Sequence, residues 1–194
     1  MKIPFMKSLL AVMLSVVAWS CLDHPVTPSV PTLAESWVSG WDAQKILTIP
    51  KGQRPDPSTY LQAPYITYQL ALFSNGASYL VTKKALDDYG RDLLGYPDNT
   101  QFVMAKGEMD QMLIKTAKST AAIEQELGIP AGSWQGKPLV RIDIPDPAEL
   151  HVRLPSGNEM GANALWLPGG KLPTGYSEAV VDRIPKGKYV ESDL

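Results

Sequence analysis

The residues best suited to chemistry lie near the end of the chain, in a segment where glycines alternate with polar side chains. Residues 154–170 read LPSGNEMGANALWLPGG. Glycine lets the backbone turn sharply or approach a ligand closely, and a tryptophan offers a flat apolar face on which a ring can stack. The segment therefore predicts a shallow polar cleft. Its candidate substrate-binding residues are Ser156, Asn158, Asn163 and Trp166, with Tyr176 a little further on.

Two carboxylates and one guanidinium are the candidate catalytic groups. Glu159 lies in a tight turn in which no structural task for it is evident, and Glu178 lies in the strand-like run GYSEAVVDR. Arg141 is flanked by apolar residues in LVRIDIP, where it could hold a phosphate or pair with a carboxylate. Structural roles remain open alternatives, because polar residues in glycine-rich turns commonly satisfy backbone groups and a strand tryptophan is usually buried in the core.

The residue counts exclude several other chemistries. The chain has two histidines, His24 and His151, and one cysteine, Cys21. A paired-imidazole mechanism, a histidine-rich zinc site and an intrachain disulfide are therefore excluded. Phosphate-binding-loop, nucleophile-elbow and HExxH patterns are also missing from the sequence. If the chain is an enzyme, its catalytic groups are expected to be carboxylates, with no metal and no bound cofactor.

The elements expected to position these residues define an α+β domain, in which short helices precede a mostly antiparallel, twisted C-terminal sheet. Strand LVRIDIP is predicted from the alternation of Val140, Ile142 and Ile144. The segment 106–130 predicts one long amphipathic helix that ends at Gly128. The other predicted helices are 64–76 and 83–90, and the predicted strands are 77–82, 101–105, 139–145, 150–154, 163–167 and 177–183.

The N-terminal region predicts export. Residues 1–20 combine two lysines with a short apolar run, which is typical of a secretory signal peptide. Cys21 follows, either as the lipid-bearing residue of a cell-envelope lipoprotein or as a free thiol after simple cleavage. Residues 21–36 are expected to form a proline-rich tether, and 37–194 a single domain. The formal net charge of −2 gives no reason to expect nucleic acid as an obligatory partner.

Four stretches carry a family resemblance: GIPAGSW, PLVRIDIPDPAEL, RLPSGNEMGANALWLPGG and PTGYSEAVVDRIPKGKY. Together they resemble the C-terminal toxin modules of bacterial polymorphic toxins of the Rhs and contact-dependent inhibition types. The resemblance begins near residue 55 and extends to the end of the chain. It implies an interbacterial effector domain, a class that includes nucleases, deaminases and NAD-consuming enzymes. It also implies a cognate immunity protein as a partner.

A second resemblance bears on the reaction. The order of a strand, PGG and a late strand carrying Glu178 is loosely similar to ADP-ribosyltransferases, although their Ser-Thr-Ser strand is missing here. It implies NAD as a substrate, with Glu178 or Glu159 stabilising a ribosyl cation and Arg141 holding phosphate. Trp166 or Tyr176 would stack on a ring. The alternatives are a nuclease-type effector and a non-enzymatic envelope lipoprotein that binds a partner.

Overall fold

The structure, a computed structural model, describes residues 30–194. The predicted signal peptide, the lipidation site Cys21 and most of the predicted tether lie outside these residues. Within the rest of the tether, Ser36 is buried and Leu33 packs against a core cluster. Packed residues therefore occur before position 37, where the domain was expected to begin.

Three short helices open the described part of the chain. They are α1 (Ala43–Thr48), α2 (Pro57–Tyr60) and α3 (Ala63–Ala71). Asp42 caps α1 by accepting a hydrogen bond from the Lys45 backbone N–H at 2.8 Å, and Asp56 caps α2 in the same way through Ser58 at 2.9 Å. Buried residues of these helices, among them Tyr60, share a core cluster with Trp166 from the glycine-rich segment.

An antiparallel sheet follows, with three helices inserted between its strands. The strands are β1 (Ala77–Thr82), β2 (Leu93–Leu94), β3 (Gln101–Ala105), β4 (Leu139–Ile144), β5 (Ala179–Val181), β6 (Ile184–Pro185) and β7 (Val190–Asp193). The helices are α4 (Lys83–Tyr89), α5 (Lys106–Lys115) and α6 (Thr120–Leu127). Five strands form one sheet in the order β5-β3-β1-β4-β7, and β2 pairs with β6. The architecture is the predicted α+β class.

Each face of the five-stranded sheet covers its own core. On one face Leu80, Met104 and Leu139 pack against methionines of α5. On the other face Val140, Ile142 and Ile144 are fully buried, as their alternation predicted. Because Leu80 pairs with Arg141 and Ser78 with Asp143, both polar side chains of β4 lie on the α5 face.

The predictions for 77–82 and 101–105 are confirmed at both ends, and the strand predicted over 139–145 ends one residue earlier. The helix predicted over 83–90 is present as α4. The helix predicted over 64–76 is present as α3 but ends at Ala71, five residues earlier than expected. Thr82 caps α4 by accepting a hydrogen bond from the Ala85 backbone N–H at 3.2 Å. Gly90 follows that helix with a φ of 87°, the left-handed backbone that glycine tolerates best.

The single helix predicted over 106–130 is wrong, because the segment folds as α5 and α6 with a break between them. Ala117 and Lys118 have φ values of 47° and 57°, which an α-helix cannot contain. Buried Thr116 reinforces the end of α5, since its hydroxyl donates to the Met112 carbonyl at 2.8 Å. The break turns α6 so that its C-terminal end reaches the rim of the cleft described below.

Two of the predicted C-terminal strands do not form, and a third is shorter than expected. Pro147–Leu150 is a 3₁₀ helix closed by His151 in the left-handed region, so the 150–154 prediction is wrong. Residues 163–167 form a turn in which the Asn163 side chain accepts a hydrogen bond from Leu165 at 2.7 Å. Of 177–183, only Ala179–Val181 is a strand.

Candidate functional site

A cleft opens where two central strands separate. Strand β1 pairs with β3 only through Ala77–Ala105 and Ser78–Met104. Beyond Ser78, β1 continues its pairing with β4 while the remainder of β3 pairs with β5. A cavity of about 350 Å³ lies in this gap, lined by residues of both strands. Its volume is within the range of about 300–1,000 Å³ that is typical of small-molecule sites.

The walls of the cleft are largely aromatic and aliphatic. They come from β3 and the loop before it, from the end of α6 with the loop that follows, and from the glycine-rich segment with the residues directly after it. The principal apolar side chains are Tyr96, Phe102, Leu127, Trp134, Leu165, Trp166 and Leu172. Lys171 and Glu178 are the two charged residues among those lining this cavity. An apolar enclosure with a single carboxylate is a suitable environment for acid-base chemistry.

Glu178 occupies the cleft as the residue immediately before β5. Its backbone N–H donates to the Gly170 carbonyl at 2.8 Å, which holds it beside the paired glycines. The residue is half-buried, but its Oε2 atom is sealed from solvent and has no hydrogen-bond partner among the described residues. Burial raises the pKa of the Glu178 carboxyl to about 7, and the negative charge of Glu159 adds to the shift.

Glu159 is engaged within its own loop. One carboxylate oxygen accepts from the backbone N–H and the hydroxyl of Ser156, at 2.8 and 3.0 Å. The other oxygen accepts from the Gly157 N–H at 2.8 Å. The expectation that Glu159 has no structural task is therefore wrong. Ser156 is engaged in the same loop, because its hydroxyl also accepts from the Asn158 N–H at 3.2 Å.

Asn158 fastens the glycine-rich segment to the N-terminal part of the domain. Its side-chain oxygen accepts from the backbone N–H groups of Gly52 and Arg54, at 2.7 and 3.2 Å. Its amide nitrogen donates to the Arg54 carbonyl at 2.8 Å. All these contacts use the side chain to join two loops, so Asn158 supports the cleft from outside and does not line it.

Trp166 is placed between the N-terminal helices and the cleft. It is buried and lines the cavity, while the Arg54 guanidinium lies 4.7 Å from its ring centroid. Its indole Nε1 has no hydrogen-bond partner among the described residues. Asn163 also lines the cavity, with its side-chain oxygen used by the local turn. Trp166, Asn163 and Glu178 are thus the predicted site residues that the fold brings together.

Arg141 and Tyr176 lie elsewhere. The Arg141 guanidinium forms salt bridges with Asp110 at 2.6 Å and with Asp143 at 2.7 Å. Of the two roles considered for Arg141, pairing with a carboxylate is therefore the one observed. Two strands, β1 and β3, lie between β4 and β5 in the sheet, so Arg141 is remote from the strand that follows Glu178. Tyr176 packs against the α5–α6 core and does not line the cavity. Arg141 and Tyr176 therefore do not join Glu178 in the cleft. Glu159 does not line the cavity either, although its charge lies close enough to Glu178 to raise the pKa of that carboxyl.

Several cleft residues were not singled out from the sequence. Lys171 directly follows the glycine pair, so that extending the segment by one residue would have included it. No local sequence pattern marks Trp134 or Phe102 as a cleft residue. Trp134 lies in the loop after α6 and reaches the cleft because of the break between α5 and α6. Phe102 reaches it because β3 pairs with β5. His151 lies on the surface, with its Nδ1 2.7 Å from an Asp182 oxygen.

Within residues 30–194, no cluster of histidine, cysteine and acidic side chains is arranged to hold a metal ion. The helices of the described region are all too short or too polar to cross a bilayer. No protein-family model matches the chain, and no curated protein matches its sequence. The resemblance to polymorphic-toxin modules therefore stays a prediction.

Proposed function

We propose that the chain is an exported, effector-like enzyme in which Glu178 supplies carboxylate chemistry to a ring-bearing substrate. NAD glycohydrolysis and ADP-ribosyl transfer are the concrete reactions of this proposal. Export, lipid attachment at Cys21 and a cognate immunity protein belong to the same hypothesis. The observation that carries it is the Glu178 side chain, which lines an aromatic cleft and whose buried Oε2 has no hydrogen-bond partner in the described part of the chain. A buried carboxyl without a partner is costly, and such groups concentrate at functional sites.

The position of Glu178 suits the breaking of a glycosidic bond. In NAD glycohydrolysis the bond from ribose C1′ to the nicotinamide nitrogen breaks, and its electron pair leaves with the ring, which becomes neutral. An ionised Glu178 would stabilise the resulting oxocarbenium-like centre inside a cleft of low polarity. The carboxylate would then accept the proton lost by the water that adds to C1′. In ADP-ribosyl transfer, an acceptor nucleophile takes the place of water.

The same proposal moves the phosphate-binding role away from Arg141, whose guanidinium is held by Asp110 and Asp143. Lys171 is the cation that lines the cleft among residues 30–194, and within the same range its Nζ donates to the Gly175 carbonyl alone, at 3.3 Å. A long, exposed bond of this kind is easily exchanged for a phosphate oxygen. We therefore propose that Lys171 binds an anionic group of the substrate.

A turnover assay tests the proposal. The purified protein is incubated with NAD, alone and with bacterial lysate as a source of acceptors, and nicotinamide release is measured. Glu178→Gln is expected to reduce turnover by about 100-fold or more, because it removes the ionisable group. Glu149→Gln is the matched control, since Glu149 is exposed and pairs with Lys188. Absence of turnover by the unmodified protein, or full activity of Glu178→Gln, would count against the proposal.

A second candidate is the non-enzymatic envelope protein that binds a partner. It is favoured by a neighbouring cavity of about 740 Å³ whose lining includes exposed apolar side chains. These are Tyr89, Leu93, Tyr96 and Met160. Exposed apolar groups gathered around a depression are typical of interaction sites. Under this candidate, Glu178→Gln and Glu159→Gln leave every phenotype unchanged except stability.

A further inference from the structure

Strand β1 has an unpaired edge beyond the point where β3 leaves it. The Lys83 N–H donates to the Pro138 carbonyl at 2.8 Å, which adds a bonded pair to the end of the β1–β4 register. Bonded pairs occur at every second residue of an antiparallel ladder. Counting back from Lys83, both backbone groups of Leu80 and the N–H of Thr82 point away from β4 and toward β3. No group elsewhere in residues 30–194 forms a hydrogen bond with them.

The facing edge of β3 is open in the same way. Both backbone groups of Val180 on β5 bond to Arg153, at 2.9 Å each, so the pair of Val180 with Phe102 is a non-bonded one. The backbone groups of Phe102 therefore point toward β1, where they would meet Leu80 if the ladder continued. The Phe102 carbonyl accepts from the Gln101 side chain at 2.9 Å instead. The ladder between β1 and β3 thus opens at the position of Leu80 and Phe102.

The opened ladder leads into the larger of the two cavities, which has a volume of about 740 Å³. Its lining comes from residues 79–82 of β1, from α4 and from the segment 93–97. Leu80 lines both this cavity and the smaller one, so the unpaired edge of β1 lies where they meet. The exposed apolar side chains of the larger cavity are Tyr89, Leu93, Tyr96 and Met160. An unpaired strand edge beside an apolar groove is the arrangement to which an extended peptide adds as a further strand.

Arg183 gives this groove a positive charge. It is the one charged residue that lines the larger cavity within the described part of the chain. It forms no salt bridge with any other residue of that part, and the hydrogen bond from its Nη2 to the Leu93 carbonyl is long, at 3.5 Å. A carboxylate is the natural partner of a guanidinium. The groove therefore favours an acidic occupant over a basic one.

We propose that β1 binds an extended peptide segment of a partner protein, which adds a strand along residues 80–82 and presents an acidic side chain to Arg183. The peptide backbone bonds to both backbone groups of Leu80 and to the N–H of Thr82. Every second peptide side chain is apolar and enters the groove. The inference goes beyond the proposed enzymatic function and does not rest on it. It gives the second candidate function a partner of defined chemistry.

Backbone methylation of a bound peptide tests the proposal on the unmodified protein. A seven-residue peptide is selected from a random phage-displayed library on the immobilised protein and synthesised, and its affinity is measured by calorimetry. Each peptide nitrogen is then methylated in turn. Because strand pairing uses every second N–H, methylation is expected to weaken binding about tenfold at alternate positions and to have little effect between them. A peptide that tolerates methylation at every position, or a library that yields no binder, overturns the proposal.

Amide hydrogen exchange, followed by NMR, locates the added strand. In the free protein the Leu80 N–H is expected to exchange faster than the Val81 N–H, which bonds to β4. The bound peptide is expected to slow exchange at Leu80 and Thr82 by about tenfold or more relative to Val81. Protection that appears only at other residues would place the peptide elsewhere and contradict the proposal.

A pair of variants tests the charge. Arg183→Gln is expected to weaken binding of the selected peptide about tenfold, because it removes the partner of the acidic side chain. Lys186→Gln is the matched control, since Lys186 is exposed and lies 3.7 Å from Asp92. Equal binding to both variants contradicts the role of Arg183. A folding defect in Arg183→Gln leaves the methylation and exchange tests intact, because they use the unmodified protein.

These results are separable from those on the proposed function, because Glu178 and Lys171 line the smaller cavity alone. Alternating sensitivity to methylation without NAD turnover supports the added strand and contradicts the enzymatic reaction. NAD turnover by a protein that selects no peptide supports the reaction and contradicts the added strand.

Discussion

At the residue scale, the polar side chains of the glycine-rich segment divide into two groups. Glu159, Ser156 and Asn158 hold loops together, whereas Glu178 keeps a buried oxygen without a partner. The sequence left open whether these turn residues satisfy nearby backbone groups, and it could not indicate which side chains would do so. The partners of Asn158 lie 104 and 106 positions away in the sequence. Local pattern cannot reveal a contact between such distant residues.

Gly157 allows two parts of the site to approach each other. A Cβ at this position would lie 2.5 Å from the Trp166 ring and 2.4 Å from Arg54, and its φ is +81°. Gly175 has a similar φ of +93° with open space around it. Gly175→Ala is expected to cost about 1–2 kcal/mol from backbone strain alone. Gly157→Ala is expected to cost about 1–3 kcal/mol more because of crowding.

Denaturant unfolding of the two glycine variants measures this difference directly. The comparison is matched because both substitutions add one methyl group to a left-handed backbone. Equal losses of unfolding free energy would mean that the close approach of Gly157 to Trp166 does not restrain the cleft.

At the element scale, short-range periodicity predicted the strands whose faces are buried. Strand β4 shows the expected alternation of burial, whereas β1 and β3 contain runs of consecutive buried residues because both faces of the sheet are covered there. The same argument failed at 163–167, where Leu165 and Leu167 are exposed and no sheet face exists to bury them. Apolar residues in a glycine-rich turn resemble a strand when only their order is considered.

The break between α5 and α6 supports a test at the same scale. Lys118 has a φ of 57°, a conformation that costs a side-chain-bearing residue about 1 kcal/mol or more. Lys118→Gly is therefore expected to be neutral or to stabilise the protein by up to about 1 kcal/mol. Gln111→Gly, at an exposed position inside α5, is expected to destabilise it by about 1 kcal/mol.

Thermal or denaturant unfolding of the two helix variants distinguishes the broken helix from the continuous one. If Lys118→Gly were as destabilising as Gln111→Gly, residues 106–130 would be one uninterrupted helix, and the end of α6 would not reach the cleft.

At the scale of the whole molecule, the cleft is a consequence of strand pairing. It exists because β3 leaves β1 after two residues and joins β5, which comes more than 70 residues later in the chain. The sequence predicted the α+β class and a late strand that contains Glu178, but strand order depends on long-range packing. The predicted group of Arg141, Glu159 and Glu178 therefore could not be checked before the sheet was known.

The central claim is that Glu178 has a buried carboxyl oxygen with no hydrogen-bond partner among residues 30–194, and that the titration of this carboxyl affects the stability of the whole protein. The pKa is about 7 in the folded state and 4.5 for an ordinary glutamate. Below pH 4.5 the carboxyl is protonated in both the folded and the unfolded state, so its titration does not change the free energy of unfolding. As pH rises from 4.5 to 7 the unfolded chain loses the proton first, so the free energy of unfolding falls. Above pH 7 the carboxyl is ionised in both states, and the free energy of unfolding falls no further from this cause.

The most direct measurement is the free energy of unfolding of the unmodified protein and of Glu178→Gln at pH 5 and pH 8. Glutamine cannot ionise, so the free energy of unfolding of the variant is not lowered by this titration. The difference in free energy of unfolding, variant minus unmodified protein, is therefore expected to be about 2 kcal/mol larger at pH 8 than at pH 5. Glu149→Gln, at an exposed site, is the control and is expected to show no such change. An equal effect of Glu178→Gln at both pH values would show that its carboxylate is solvated or paired, and would contradict the account.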